Sequence, residues 1–263
     1  MSTMMLALTV GAVVAPNLLG PASVLARLAG APPVTGIFIV AAAALLAALV
    51  CLPPVPGAPK ADPLGHQLVR GRDGHRARTM WGCAAGPAAV LASANLVMVT
   101  VMAVVPPALH AHGASLHHLG LIVSAHVLAM FAPSVLVGRI ADRVGARRVA
   151  LVGTWFTASL AAGGAAAAAS SPSTQAFFMV LLGSAWCVQV VAGSAWLLEE
   201  TAQANRSFVE GIGEAWMAVA AVVGTLLAGP LLAAGGSLVL HAGLAALAAL
   251  AACGATKHGS SRG

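Results

Sequence analysis

The chain has 263 residues, 59% of them hydrophobic and only 8% charged, whereas a soluble globular domain carries roughly 25% charged residues. So few charges cannot cover a water-facing surface, which excludes soluble enzymes and makes the bilayer the solvent to reason with. Thirteen Lys and Arg against seven Asp and Glu leave a formal charge of +6, which in a soluble protein would raise nucleic acid as a partner.

A membrane-crossing helix needs about 20 mostly apolar residues. In chain order eight stretches qualify: 4–26, 33–53, 80–107, 119–138, 149–170, 175–198, 211–234 and 237–255. The expected fold class is therefore an all-α polytopic membrane protein. No Lys or Arg precedes Arg27, so the first stretch lacks the basic region of a secretory signal and reads as a retained helix. Between the second and third stretches lies 54–79, rich in Pro, Gly and charge, which predicts a linker. The chain then divides into two helices over 1–53, a basic linker over 54–79, a six-helix bundle over 80–256 and a tail over 257–263. Cys51, Cys83, Cys187 and Cys253 follow no disulfide, metal or redox spacing and read as small apolar residues.

Basic residues near span ends mark the cytoplasmic side. One set of alternate loops holds Lys60, Arg70, Arg72, Arg76 and Arg78, then Arg139, Arg143, Arg147 and Arg148, then Arg206, Lys257 and Arg262; the other holds Arg27 alone. The positive charge is thus an orientation signal. It places both termini in the cytoplasm of a cell with an inner membrane, and leaves no nucleic-acid partner to explain.

Gly138-Arg-Ile-Ala-Asp142-Arg143-Val-Gly145-Ala-Arg147-Arg148 stands between the fourth and fifth spans. It resembles the signature loop of the major facilitator superfamily, G-x-L-A-D-R-x-G-R-[RK], departing at Ala146. A carboxylate among guanidinium groups beside a tight Gly turn would latch helix ends together. In the first span Gly11, Pro16, Gly20 and Pro21 resemble the Gly/Pro-rich fifth-helix motif of that superfamily, which is associated with exporters; small residues there allow close helix packing. On the family's twelve-helix plan the two motifs agree in register, so the eight spans correspond to helices five to twelve. Met1, Met4 and Met5 fall directly inside an apolar span, and the expectation is an N-terminally truncated transporter whose start is set within a longer frame.

The resemblance implies a solute pathway between two helix bundles that rock about a midplane site. Helical spacing selects Asn95, Met98 and Met102 on the third span, His126, Met130 and Ser134 on the fourth, Trp186, Gln189 and Trp196 on the sixth, and Asn17 on the first. Such a cavity suits an amphipathic or hydrophobic organic solute; the same stripes also fit ordinary helix packing. Ionisable residues within spans are costly and are functional candidates by default. His126 and Glu214 qualify for proton coupling, against the alternatives of a neutral packed histidine and an interfacial carboxylate.

His110, His112, His117 and His118 cluster in one outer loop without Cys or carboxylate, so no metal site is expected. No nucleophile–base pair, phosphate-cradling loop or dinucleotide fingerprint occurs; neither enzymatic activity nor a cofactor is expected. The function implied is proton-coupled efflux of a small organic molecule by alternating access, with the lipid bilayer, the solute and protons as partners. The alternatives are a non-transporting scaffold that holds anionic lipid on the linker, and an inactive transporter fragment.

Overall fold

In a lipid solvent every backbone amide must be satisfied within the chain, which favours helices for apolar runs of this length. The computed structural model describes residues 10–11, 13–32, 35–51, 74–111, 113–168 and 171–260, and among the described residues all regular structure is helical. A 3-10 turn over Ala15–Leu18 leads into α1 (Leu19–Leu28). The remaining helices are α2 (Thr35–Cys51), α3 (Gly74–Ala111), α4 (Leu116–Phe131), α5 (Ser134–Val144), α6 (Ala146–Ala168), α7 (Pro172–Glu199) and α8 (Arg206–Ser260).

Among the described residues five stretches are long and apolar enough to cross a membrane: Ala84–Ala111, Leu116–Val144, Ala146–Ala168, Pro172–Glu199 and Arg206–Thr256. The last of these is two arms. At Gly235 and Gly236 the backbone leaves the helical region, with φ 64° and ψ −159° at Gly236, a conformation reached essentially only by glycine. The break falls between the stretches 211–234 and 237–255 that the sequence separates. Local starts follow from side-chain caps: the Ser115 hydroxyl accepts from the His118 amide at the head of α4, and the Ser171 hydroxyl accepts from the Thr174 amide ahead of Pro172 in α7.

Two boundaries differ most from expectation. α3 begins at Gly74, inside the expected linker. The fourth span runs on past 138, because α4 passes through Ala132 and Pro133 directly into α5. Proline removes one amide donor and interrupts the hydrogen-bond ladder, but Pro133 keeps a helical φ of −74°, so the next helix resumes at once. Gly138, Asp142 and Arg143 are consequently helical. Only Gly145, at φ 101°, makes the turn into α6. Residues 1–9 of the first span, 52–73 around the linker and 261–263 of the tail lie outside the described residues.

Between helices in lipid, close packing replaces the hydrophobic effect as the associating force. One buried cluster gathers Val101, Leu109, Phe178, Met179, Leu240 and Leu244 from α3, α7 and α8. A second gathers Val90, Ala150, Cys187, Trp196 and Ala255 toward the basic end. α1 and α2 pack together where Gly36 meets the Ala22 carbonyl, and reach the bundle through α4.

Candidate functional site

The polar groups inside the spans form two sets, one half-buried and one sealed. The half-buried set centres on Asn95, near the middle of its membrane-crossing stretch, and Trp186, midway along α7. The Trp186 indole N–H donates to Asn95 Oδ1 at 3.0 Å, and Asn95 Nδ2 donates to the Met217 carbonyl of α8 at 3.0 Å. Trp186 also meets Phe131 of α4 edge to face, with ring centroids 6.2 Å apart. One amide thus fixes an indole at the junction of α3, α4, α7 and α8. Met98, Met130 and Ser134 are half-buried as well, while Met102 packs against the first core cluster.

Gln189, placed by spacing on the stripe of Trp186, is fully buried and belongs to a closed network. Its Oε1 accepts from the Thr157 hydroxyl at 2.5 Å; its Nε2 donates to Thr154 Oγ1 at 3.2 Å, and to Ser93 Oγ and the Val90 carbonyl at 3.4 Å each. Every Gln189 polar atom has a partner, as a buried network requires. Trp196 is sealed too, at 3% exposure. The Arg147 guanidinium lies 5.6 Å from its ring centroid, and its indole N–H donates to Glu200 Oε1 at 2.8 Å. Arg147 Nη2 also donates to the carbonyl of Thr256 at 2.9 Å and that of Ala255 at 3.4 Å, tying α6 to the end of α8.

His126 is fully buried against α7. Its Nδ1 lies 2.6 Å from the Met179 carbonyl; since a carbonyl can only accept, Nδ1 carries the proton and Nε2 is the acceptor. Among the described residues Nε2 is buried without a partner. The contact is close because Gly183 faces it: a Cβ there would stand 2.5 Å from the His126 carbonyl oxygen. His241 on α8 repeats the arrangement, packed against Gly164 with Nδ1 on the Ser237 carbonyl and Nε2 unpartnered among the described residues.

Asn17 is drawn to the bundle. Its Nδ2 donates to Ser124 Oγ at 2.6 Å and to the Val13 carbonyl at 3.0 Å, and Ser124 Oγ donates to the same carbonyl at 2.8 Å. Pro16 approaches Gly120 of α4, whereas Gly11 and Gly20 face open space and Pro21 is exposed. In the signature motif, Asp142, Arg143 and Arg148 are exposed, and among the described residues Asp142 forms no ion pair. The latching contacts run through Arg147 instead. Glu214 is exposed on the first arm of α8. Around the turn from α3 to α4 His110 Nδ1 donates to the Ala114 carbonyl and His118 Nδ1 meets Ser115 Oγ, with no metal-holding group among the described residues; His112 lies outside them. An apolar cavity of about 280 Å³ lies between Ala85, Ala89 and Ala92 of α3 and Ile212 and Trp216 of α8. None of the sequence-predicted pathway residues lines it.

Spacing missed Phe131, Ser93, Thr154, Thr157, Ser124 and His241. For all but Phe131 the available signal is a hydroxyl or imidazole within an apolar span, as with Thr154 and Thr157 one turn apart.

The sequence profile of the Major Facilitator Superfamily matches residues 85–258. YdeG and YddS of Bacillus subtilis (strain 168), both described as uncharacterized MFS-type transporters, are 31% and 30% identical to the chain over 88% and 86% of its length, and over 56% and 54% of their own. The riboflavin transporter RfnT of Brucella anthropi is 28% identical over 53% of the chain and 35% of its own length. No solved structure matches. The chain spans about half the length of the curated relatives it matches first. A profile match over most of an all-helical bundle with membrane-length spans, joined to these relatives, shows that the chain belongs to the major facilitator superfamily.

Proposed function

We propose that the chain takes part in moving a small organic solute across a membrane by alternating access, in the outward direction and coupled to protons. The observation that carries this is the half-buried Asn95–Trp186–Met217 junction with Phe131 beside it. Four helices meet there at mid-membrane, where transporters of repeated helices hold their solutes. An indole, a phenyl ring, the nearby thioethers Met98 and Met130 and one oriented amide favour a flat or amphipathic organic molecule over a small ion. RfnT, as a riboflavin transporter, makes an aromatic heterocycle a sensible first solute to try.

Residues 1–53 then correspond to the last two helices of an N-terminal half, 80–256 to the C-terminal bundle, and the basic loops to the cytoplasmic side of an inner membrane. His126 is the candidate for proton coupling, with Nε2 as the atom that accepts the proton; the Nδ1–H bond to the Met179 carbonyl would strengthen on charging, but the new Nε2–H would be buried without a partner among the described residues, which favours opening of the α4–α7 contact to water. Glu214 is a second candidate, by its position on α8. The test is flux of riboflavin and of ethidium in proteoliposomes holding the purified chain, with and without a proton gradient. Saturable flux is expected, cut by roughly tenfold in Asn95→Leu, equivalent to about 1.4 kcal/mol, and independent of the gradient in His126→Gln. Flux of both solutes no faster than in protein-free vesicles would reject transport of either by this chain.

A further inference from the structure

The basic end of the bundle carries a charged surface that neither latch nor pathway uses. Arg139 and Arg143 are exposed one turn apart on α5, and Arg148 is exposed in the first turn of α6, across the Gly145 turn. Asp142 lies among them, also exposed. Among the described residues none of the four forms an ion pair, and Arg147 is turned away to the carbonyls of α8 and the Trp196 ring. Three guanidiniums and one carboxylate leave an uncompensated positive surface.

What adjoins it decides the partner. On α5, Leu136 and Ile140 are exposed at 60% and 41%, beside Arg139 and Arg143. On α6, Val152 and Trp155 are exposed at 69% and 46%; Arg148, Val152 and Trp155 follow helical spacing along one face, with Trp155 about 10 Å below Arg148 at 1.5 Å per residue. Both helices therefore present guanidinium at the rim and bare hydrocarbon directly beneath it. A free phosphate would use only the first of these; a phospholipid uses both.

We propose that Arg139, Arg143 and Arg148 bind the headgroup of an anionic phospholipid whose acyl chain lies along Val152 and Trp155 of α6 and the apolar stripe of α5. Basic residues at a membrane surface each favour anionic lipid by about fivefold, and two or three guanidiniums converging on one phosphate provide forked donors that a single lysine lacks. This requires only that the basic end lie at a membrane surface, and is independent of whether the chain transports.

Trp155 supplies the readout. The chain is reconstituted in vesicles of phosphatidylcholine containing equal fractions of phosphatidylglycerol or phosphatidylcholine brominated in the upper acyl chain, and quenching is compared with that of Trp155→Phe to isolate the Trp155 contribution. The expected result is stronger quenching of Trp155 by the brominated phosphatidylglycerol. A triple substitution Arg139→Gln, Arg143→Gln, Arg148→Gln should lower that preference at least about fivefold, while quenching by brominated phosphatidylcholine persists. Should the triple variant fail to fold, a salt series on the native chain reads the same preference, which must fall as ionic strength rises. Equal quenching by the two lipids in the native chain overturns the proposal. So does loss of the preference on adding millimolar inorganic phosphate at constant ionic strength, which would make the site one for free anion.

Discussion

Asn95 and Gln189 are both membrane-buried amides that bond across helices, yet their surroundings set different consequences for losing them. Asn95 joins two single partners, the Trp186 indole and the Met217 carbonyl, so Asn95→Leu leaves the half-buried indole N–H without its acceptor and the ring held by packing alone. Gln189 sits among hydroxyls that have carbonyls of their own: Thr154 Oγ1 donates to Ala150 and Ser93 Oγ to Val90. Gln189→Leu should therefore cost only about 1–2 kcal/mol of unfolding free energy, within the range measured for interhelical hydrogen bonds in membranes. Adding Thr157→Val should cost little more, because Thr157 and Gln189 share one bond; a double-mutant cycle on denaturant unfolding checks the coupling. Spacing along α7 put Trp186, Gln189 and Trp196 on one stripe, and could not say that the first is half-buried while the others are sealed. That distinction depends on α3 and α6 closing over the stripe toward the basic end, through Ser93, Thr154 and Arg147.

Helices in this bundle are positioned by where small residues permit contact, and three glycines separate the reasons. Gly145 turns the chain at φ 101° between α5 and α6, and Gly145→Ala should destabilise by about 1–3 kcal/mol from backbone strain alone. Gly183 has an ordinary helical backbone but no room, its Cβ position lying against His126; Gly183→Ala should cost about 1–3 kcal/mol by overpacking and separate α4 from α7. Gly138 has neither constraint, with nothing within 4 Å of its Cβ position, and Gly138→Ala should stabilise by up to about 0.5–1 kcal/mol. Thermal unfolding of the three variants in one detergent ranks them directly. The motif puts Gly138 and Gly145 together in one loop, because a motif shows which residues recur and not which of them turn. Composition marks the backbone break at Gly235–Gly236, where the glycines themselves leave the helical region. It does not mark the continuation from α4 into α5, where Pro133 is absorbed.

Across the whole molecule, hydropathy made the helical membrane fold legible, since lipid leaves few other ways to satisfy an apolar backbone. The signature loop made the superfamily legible, although its contacts run through Arg147 to the end of α8 and not through Asp142. The division into pathway-facing and lipid-facing surfaces was less accessible, because methionine, tryptophan and alanine serve on either. On the proposed function, the Asn95–Trp186 face should meet water during the transport cycle and the Gln189 network should not. Cysteine accessibility tests it without knowing the solute. In a background with the native cysteines replaced, Asn95→Cys, Met98→Cys and Gln189→Cys are exposed in reconstituted vesicles to a membrane-impermeant thiol reagent applied from both sides. Labelling of the cysteines at 95 and 98, with the one at 189 protected until the chain is unfolded, is the expected outcome. Labelling at 189 with 95 and 98 protected would contradict the assignment of the pathway to this face.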